Sequence, residues 1–330
     1  MKIGIAGSGM IVRVILDLLT RLEGIEACAL WCRPENAGEG EGLGREYGLA
    51  SVYTDYDEFL ADPSFDLVYV GLVNSLHHGF SLRALQAGKS VVCEKPFTST
   101  RAQAEELLAR ARERGLFVFE SVLPWYQKNY GEIARRLPEV GDVRLVEVSF
   151  SQYSRRYAAY KEGTVLPVFD PELEGGALAD MGVYSVHWVM GLFGVPEGVT
   201  YLPNTGFNGI DLSGVLVLDY GSFKAVCSTA KDSTSPDRCV VQGDAGYILQ
   251  PGEPARCEDV VLVPNGGEPQ AVDVAPVGDG FECVWRRIAA LVGAGDLEAC
   301  YAMAERVVGV MGVMERARTS AGIQFPSDRA

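Results

Sequence analysis

Histidine is scarce in this chain. There are three in 330 residues, two of them the adjacent pair His77 and His78, and no carboxylate cluster lies beside that pair. The expectation is a protein without a metal centre, since protein metal sites draw heavily on imidazole and thiolate ligands. The eight cysteines contain no Cys-x-x-Cys spacing, which argues against a zinc ribbon or a dithiol redox motif and suits a reducing compartment. No apolar run approaches the length of a membrane span. Met1-Lys2-Ile3-Gly4-Ile5 reads as a strand entry and not as a signal peptide, so the expectation is a cytoplasmic protein with no membrane partner. Basic residues are also few: 29 Lys and Arg stand against 44 Asp and Glu, a net charge of -15, which disfavours nucleic acid as a partner. A small ligand with a locally basic site remains compatible with that balance.

What is present is the material of a globular protein, 48% hydrophobic and 22% charged, at a length that suggests two domains. Over residues 1–120, short apolar strands alternate with segments of helical spacing. The strands are Lys2 to Ala6, Glu26 to Cys32, Val52-Tyr53, Leu67 to Gly71, Ser90 to Cys93 and Leu116 to Glu120. Such alternation predicts an α/β, doubly wound parallel sheet of Rossmann type. Residues 121–330 read differently. After a helix at Lys128 to Leu137 comes the long alternating strand Val143 to Tyr153, a loop at Ser154 to Gly175, and a helix from Gly176 to Phe193. Short strands then follow in series, with a hairpin signal at Tyr220-Gly221-Ser222, and two helices close the chain. This half is expected to be an α+β domain built on a large open, mostly antiparallel sheet.

Two stretches of the first half carry chemistry. Gly7-Ser8-Gly9 directly follows the first strand and leads into a helix that begins Met10-Ile11. Glycines there allow a tight turn and let backbone N–H groups approach a pyrophosphate at the helix N-terminus. Val12 replaces the third glycine of the G-x-G-x-x-G fingerprint, so the motif is degenerate. The second strand ends in Trp31-Cys32-Arg33, where an NAD enzyme places a carboxylate on the ribose 2′-hydroxyl. Arg33 offers a partner for a 2′-phosphate instead, so NADP(H) is favoured and NAD(H) possible. Pro34 to Gly44 reads as a flexible loop before a short helix. In the second stretch, Ser90-Val-Val-Cys-Glu-Lys-Pro-Phe97, Pro96 ends the strand and leaves Lys95 where ligands bind in an open parallel sheet.

In the second half, Asp180, Tyr184 and His187 fall at i, i+4 and i+7 of the Gly176 helix, so one face carries all three. The loop before it offers Arg155, Arg156, Tyr157, Tyr160 and Lys161, groups suited to a sugar, a polyol or a carboxylated sugar, or equally to a solvated loop or a subunit contact.

Together the landmarks GIAGSGM at 4–10, VNSLHH at 73–78, CEKP at 93–96 and GGALADMGVYSVH at 175–187 resemble the glucose-fructose oxidoreductase, inositol dehydrogenase and MocA (Gfo/Idh/MocA) family over essentially the whole chain. The resemblance implies a nucleotide domain, 1–120, and a substrate-binding and oligomerisation domain, 121–330. It implies catalytic roles for Lys95, Asp180 and Tyr184, with Tyr184 as acid/base, Lys95 lowering its pKa and bonding the substrate oxygen, and Asp180 orienting Lys95 or a substrate hydroxyl. Many members have His at the position of Tyr184. The Tyr is similar to the dihydrodiol dehydrogenase branch, which favours NADP. Cofactor contacts are expected from Gly7, Ser8, Gly9, Met10, Ile11, Arg33, Asn74, His77, Glu94, Lys95 and Pro96. Substrate contacts are expected from Lys95, Asp180, Tyr184, His187, Arg155 and Tyr157. The function implied is hydride transfer to or from a carbinol or carbonyl carbon of a sugar-like molecule. The alternatives are a glycosidase using transient oxidation and a non-catalytic cofactor sensor on the same fold. Pairing of the second domain's sheet into a homodimer or homotetramer is likewise implied.

Overall fold

A computed structural model describes residues 1–122, 124–272 and 280–329. The alternating first part forms β1 (Lys2–Ala6), α1 (Met10–Leu19), β2 (Glu26–Trp31), α2 (Ala37–Tyr47), β3 (Ser51–Tyr53), α3 (Tyr56–Ala61), β4 (Leu67–Val70), α4 (Asn74–Gln86), β5 (Ser90–Glu94), α5 (Arg101–Arg114) and β6 (Val118–Ser121). The strands pair in parallel in the order β3-β2-β1-β4-β5-β6. Ile3, Ile5, Val68, Val91 and Val92 are fully buried, as the continuous apolar runs of a sheet covered on both faces require. The order reverses between β1 and β4, which makes the carboxyl ends of those strands the binding edge of the sheet.

The stretch 34–44 is not a flexible loop. Pro34–Asn36 is a 3₁₀ turn and α2 begins at Ala37. A Cβ on Gly40 would come within 2.5 Å of Cys32 Sγ, and one on Gly44 within 2.6 Å of Val52 Cγ2. Glycines at i and i+4 here let a helix lie directly on β2 and β3, a use of glycine that composition alone does not distinguish from flexibility.

The second part contributes α6 (Lys128–Arg136), β7 (Val143–Ser151), α7 (Tyr157–Lys161), α8 (Val183–Phe193), β8 (Gly198–Thr205), β9 (Asp211–Asp219), β10 (Lys224–Ala230), β11 (Arg238–Gly243), β12 (Gly246–Pro251), β13 (Val261–Pro264), β14 (Gln270–Ala271), α9 (Gly280–Ala294) and α10 (Leu297–Ser320). Its strands run in the order β14-β13-β12-β11-β7-β10-β9-β8. β7 and β10 pair in parallel, and the other described pairings are antiparallel. The Tyr220–Ser222 turn joins β9 to β10 as expected, with Gly221 at φ 71°. Alternation along β7 buries Val146, Val148 and Phe150. Phe150 meets the Tyr184 ring of α8 edge-on at 6.0 Å, so α8 lies on that face.

Two compact units result: Met1–Ser121 with Phe281–Val308, and Val122–Gly280 with Gly309–Ala330. The segment Phe281–Val308, assigned to the second domain on sequence, clusters with the first unit. Among the described residues no helix is long and apolar enough to cross a membrane.

Candidate active site

In the first unit the connections after β1, β2, β4 and β5 carry the expected groups at the carboxyl edge of the parallel sheet. The one after β1 is the glycine turn. Gly7 sits at φ +128°, a conformation that side chains rarely adopt, and its N–H bonds the Trp31 carbonyl at 2.8 Å. Gly9 caps α1 with extended backbone and open space where a Cβ would stand. A phosphate could therefore approach the first N–H groups of α1, with Met10 and Ile11 at its opening. Val12 is fully buried, and a Cβ on Gly71 would lie 2.9 Å from Val12 Cγ2. Gly71 has thus taken over the clearance that the missing third glycine normally supplies.

The connection after β5 carries Lys95. The Lys95–Pro96 bond is cis, and the peptides around it are held individually. Glu94 Oε1 accepts from the Tyr69 hydroxyl at 2.8 Å, the Phe97 N–H donates to Glu120 Oε1 at 2.9 Å, and the Pro96 carbonyl faces His77 Nδ1 at 2.8 Å. Burial pushes the Glu94 carboxyl up, opposed by the Tyr69 hydroxyl and the Lys95 charge. Lys95 is half-buried, between the buried Glu94 and Pro96. The connection after β4 brings Asn74, also half-buried, to the same edge at the start of α4.

His77 departs from its expected role. Its ring is fully buried, with Nε2 facing the Leu72 carbonyl at 3.1 Å as well as Nδ1 facing Pro96, so it holds the lysine loop and presents no surface to a cofactor. Burial, with the Lys95 charge behind it, keeps its pKa below the ordinary 6.5, against the pull of the two carbonyls.

At the end of β2, Trp31 and Cys32 are buried, whereas the Arg33 side chain is 54% exposed and pairs with Glu35 at 3.1 Å. An exposed pair of this kind is worth little, so the guanidinium is available to a phosphate. Glu39 was not singled out in the sequence. From α2 its Oε2 accepts from Ser8 Oγ at 3.1 Å, and α2 could not be read through the 34–44 stretch.

In the second unit the Gly175-Gly176 pair has a steric cause. A Cβ on Gly175 would fall 2.6 Å from the Val168 carbonyl oxygen, and Gly176 sits at φ +108° against the Asp211 carboxylate. Asp211 then accepts from the Leu178 N–H at 2.6 Å and from the Tyr201 hydroxyl at 2.8 Å. Leu178–Gly182 is a π turn that passes directly into α8. A uniform α-helix from 176 was expected. The π turn widens the backbone around Asp180, a feature found frequently at functional sites. Between Glu174 and Met190 every residue is buried except Asp180 and Tyr184.

The Asp180 carboxylate is paired with the ammonium of Lys231, a residue that sequence reading did not single out. A lysine directly after a strand carries no signal that separates it from an ordinary solvated turn. His187 is fully buried with its ring edge-on to Trp125 at 4.7 Å, so it lines the core and not an open surface. Arg155 is exposed, and Tyr157 belongs to an aromatic cluster with Tyr153, Tyr160 and Phe169.

Residues 1–121 match the family model described as an oxidoreductase family with an NAD-binding Rossmann fold, and residues 137–249 match the GFO/IDH/MocA C-terminal domain. The chain belongs to the Gfo/Idh/MocA oxidoreductase family. It is 31% identical to the scyllo-inositol 2-dehydrogenase (NADP(+)) IolU of Bacillus subtilis (strain 168), over 100% of this chain and 99% of that protein. It is 30% identical to the D-xylose 1-dehydrogenase (NADP(+)) of Hypocrea jecorina, covering 84% and 78% of the two chains. The fold matches that of KijD10, a 3-ketoreductase from Actinomadura kijaniata solved with NADP, at a TM-score of 0.82, 24% identity and 97% coverage of both chains. In the first unit the glycine turn, Arg33, Asn74 and the Lys95 loop all follow carboxyl ends of the parallel strands. Asp180 and Tyr184 form the open polar face of the other domain.

Proposed function

We propose that this Gfo/Idh/MocA protein is an NADP(H)-dependent oxidoreductase of a sugar, polyol or related carbinol compound, and that Lys95, Asp180 and Tyr184 carry its chemistry. The observation that carries the reading is the pattern of exposure along the 174–190 segment. Buried throughout except at a carboxylate and a phenol one turn apart, it keeps two polar groups open that packing alone gives no reason to keep. Bound nicotinamide supplies or accepts the hydride. The glycine turn and the N-terminus of α1 would hold the pyrophosphate, and Arg33 the 2′-phosphate. Tyr184 exchanges the proton with the substrate oxygen. A phenol ordinarily titrates near ~10, and a neighbouring ammonium brings it toward a useful range, the part assigned to Lys95. Asp180 accepts a hydrogen bond from a substrate hydroxyl.

Assembly and compartment belong to the same proposal. Across the solvent side of the second sheet, Val217, Val226, Val240, Leu249 and Val261 stand in one cross-strand row, each half-buried, with Glu147 between Val226 and Val240. A row of this kind supports pairing of two such sheets into a homo-oligomer. All eight cysteines are unbridged, in accord with action in the cytoplasm.

The test is a screen of the native protein with NADP⁺ and a panel of polyols and aldoses that includes scyllo-inositol and D-xylose, followed by the reverse reaction with NADPH and ketoses. NADPH should form on at least one polyhydroxylated substrate. Glycoside cleavage without net cofactor turnover, or no turnover with either nucleotide in either direction, would contradict the reading.

A further inference from the structure

Lys231 is a buried cation of the second unit that the mechanism above leaves without a part. Its side chain is 8% exposed, and its ammonium donates to Asp180 Oδ2. Desolvating an ammonium costs several kcal/mol unless a carboxylate answers it, so buried lysines are rare and paired. The carboxylate that answers this one keeps 34% of its side chain exposed, on a segment closed elsewhere except at Tyr184.

The backbone explains how the two meet. β9 and β10 are antiparallel with Ala230 opposite Ser213, and the Lys231 N–H bonds the Leu212 carbonyl at 2.8 Å. The start of β9 and the end of β10 therefore share one edge of the sheet. From that edge Asp211 takes the Leu178 N–H at the entry to the π turn, and Lys231 takes the Asp180 carboxylate within it. The turn is held at two points by charged groups of opposite sign, one on its backbone and one on its functional side chain.

We infer that Lys231 is a positioning residue: it fixes the Asp180 carboxylate, ionised and in one direction, as the acceptor for a substrate hydroxyl. The inference rests on the reading that Asp180 and Tyr184 meet the substrate. A carboxylate paired with a buried ammonium is held in one direction, so the substrate meets it already aligned. The neighbouring Asp232 accepts from Ser213 Oγ at 3.1 Å, so a different hydroxyl occupies the next carboxylate along the chain.

The test is a double-mutant cycle in the full chain with NADP(H), scored on kcat, KM and NADPH affinity separately. Lys231→Met should raise KM for the polyol or ketone at least tenfold while NADPH affinity stays within twofold. Lys231→Arg, which keeps the charge, should recover most of that loss. In an Asp180→Asn background, Lys231→Met should add less than a twofold further change, because the residue it acts through is already gone. Losses that multiply in the double variant, an arginine as poor as the methionine, or a parallel fall in NADPH affinity would each overturn the inference. Lys231→Met alone leaves a carboxylate beside a new apolar side chain and can unfold. The double variant removes both charges, and its urea midpoint should lie nearer the native value than that of either single variant. A double variant whose midpoint shift is the simple sum of the two would also overturn the pairing. Should the native protein turn over nothing, the functional reading fails by itself, and the unfolding cycle still decides whether Lys231 acts through Asp180.

Discussion

Restoring the third glycine of the dinucleotide fingerprint should weaken this protein. Val12 is 0% exposed, and its Cγ2 lies 3.2 Å from the point where a Cβ on Gly7 would stand and 2.9 Å from the same point on Gly71. Its isopropyl group therefore fills the clearance that the turn leaves. Val12→Gly removes a fully buried valine side chain, worth about 1.5–3 kcal/mol of transfer free energy. The void left behind adds to that, as does the lower helix propensity of glycine by a few tenths of a kcal/mol. The expected loss is about 2–4 kcal/mol in urea unfolding of the nucleotide-free protein. Gly71→Ala alone should cost about 1–3 kcal/mol by overpacking, since its Cβ would meet Tyr69 Cε1 at 2.8 Å as well as Val12. Together the two should cost about 1 kcal/mol less than their sum, because one of the two clashes has gone. A Val12→Gly variant as stable as the native protein, or strict additivity in the pair, would refute the claim that Gly71 and Val12 share one space.

Further expectations follow from the site and the assembly face. Arg33→Ala should abolish most of the preference for NADPH over NADH, measured by fluorescence titration, and equal affinities in the native protein would contradict the role given to Arg33. His77 has a folded-state pKa below 6.5, so its contribution to stability is present above that value and is lost as pH falls toward the folded pKa. Between about pH 7.5 and 5.5 the native protein should lose stability with a slope contribution of up to about 1.4 kcal/mol per pH unit that His77→Gln lacks, and parallel slopes would remove His77 from that account. Replacing Val226 and Val240 by lysine on the solvent side of the second sheet should turn an oligomer into a monomer by light scattering with the fold intact. A native protein already monomeric at micromolar concentration would dismiss the interface.

Much of the architecture was legible because it follows from local pattern. The alternation of short apolar strands with helical segments gave the parallel sheet, the Tyr220–Ser222 turn gave the β9–β10 hairpin, and Pro96 marked where β5 stops. What could not be read depends on partners distant in sequence. Gly40 and Gly44 look like a flexible stretch until β2 and β3 are seen beneath them. The π turn shifts the phase of a helix whose residues, taken alone, fit an α-helix, and His187 ends in the core while Asp180 and Tyr184 stay open. Lys231 lies 51 residues from its carboxylate, and a single lysine at a strand end has no periodicity to betray it. His77 was expected at the cofactor, but its ring is fully buried. Its work on the Pro96 carbonyl could be seen only once α4 and the β5 loop lay side by side.

The central claim is that the Tyr184 hydroxyl moves the substrate's proton, and the direct measurement is the kinetics of Tyr184→Phe on a substrate of the native enzyme. The ring, edge-on to Phe150, keeps its shape and buried area, so stability should change by only about 1 kcal/mol. NADPH affinity should be unchanged and kcat should fall by roughly 10²–10⁴-fold, the usual contribution of general acid–base catalysis. A phenylalanine variant that keeps its turnover while losing stability would show the hydroxyl to be structural and would contradict the account.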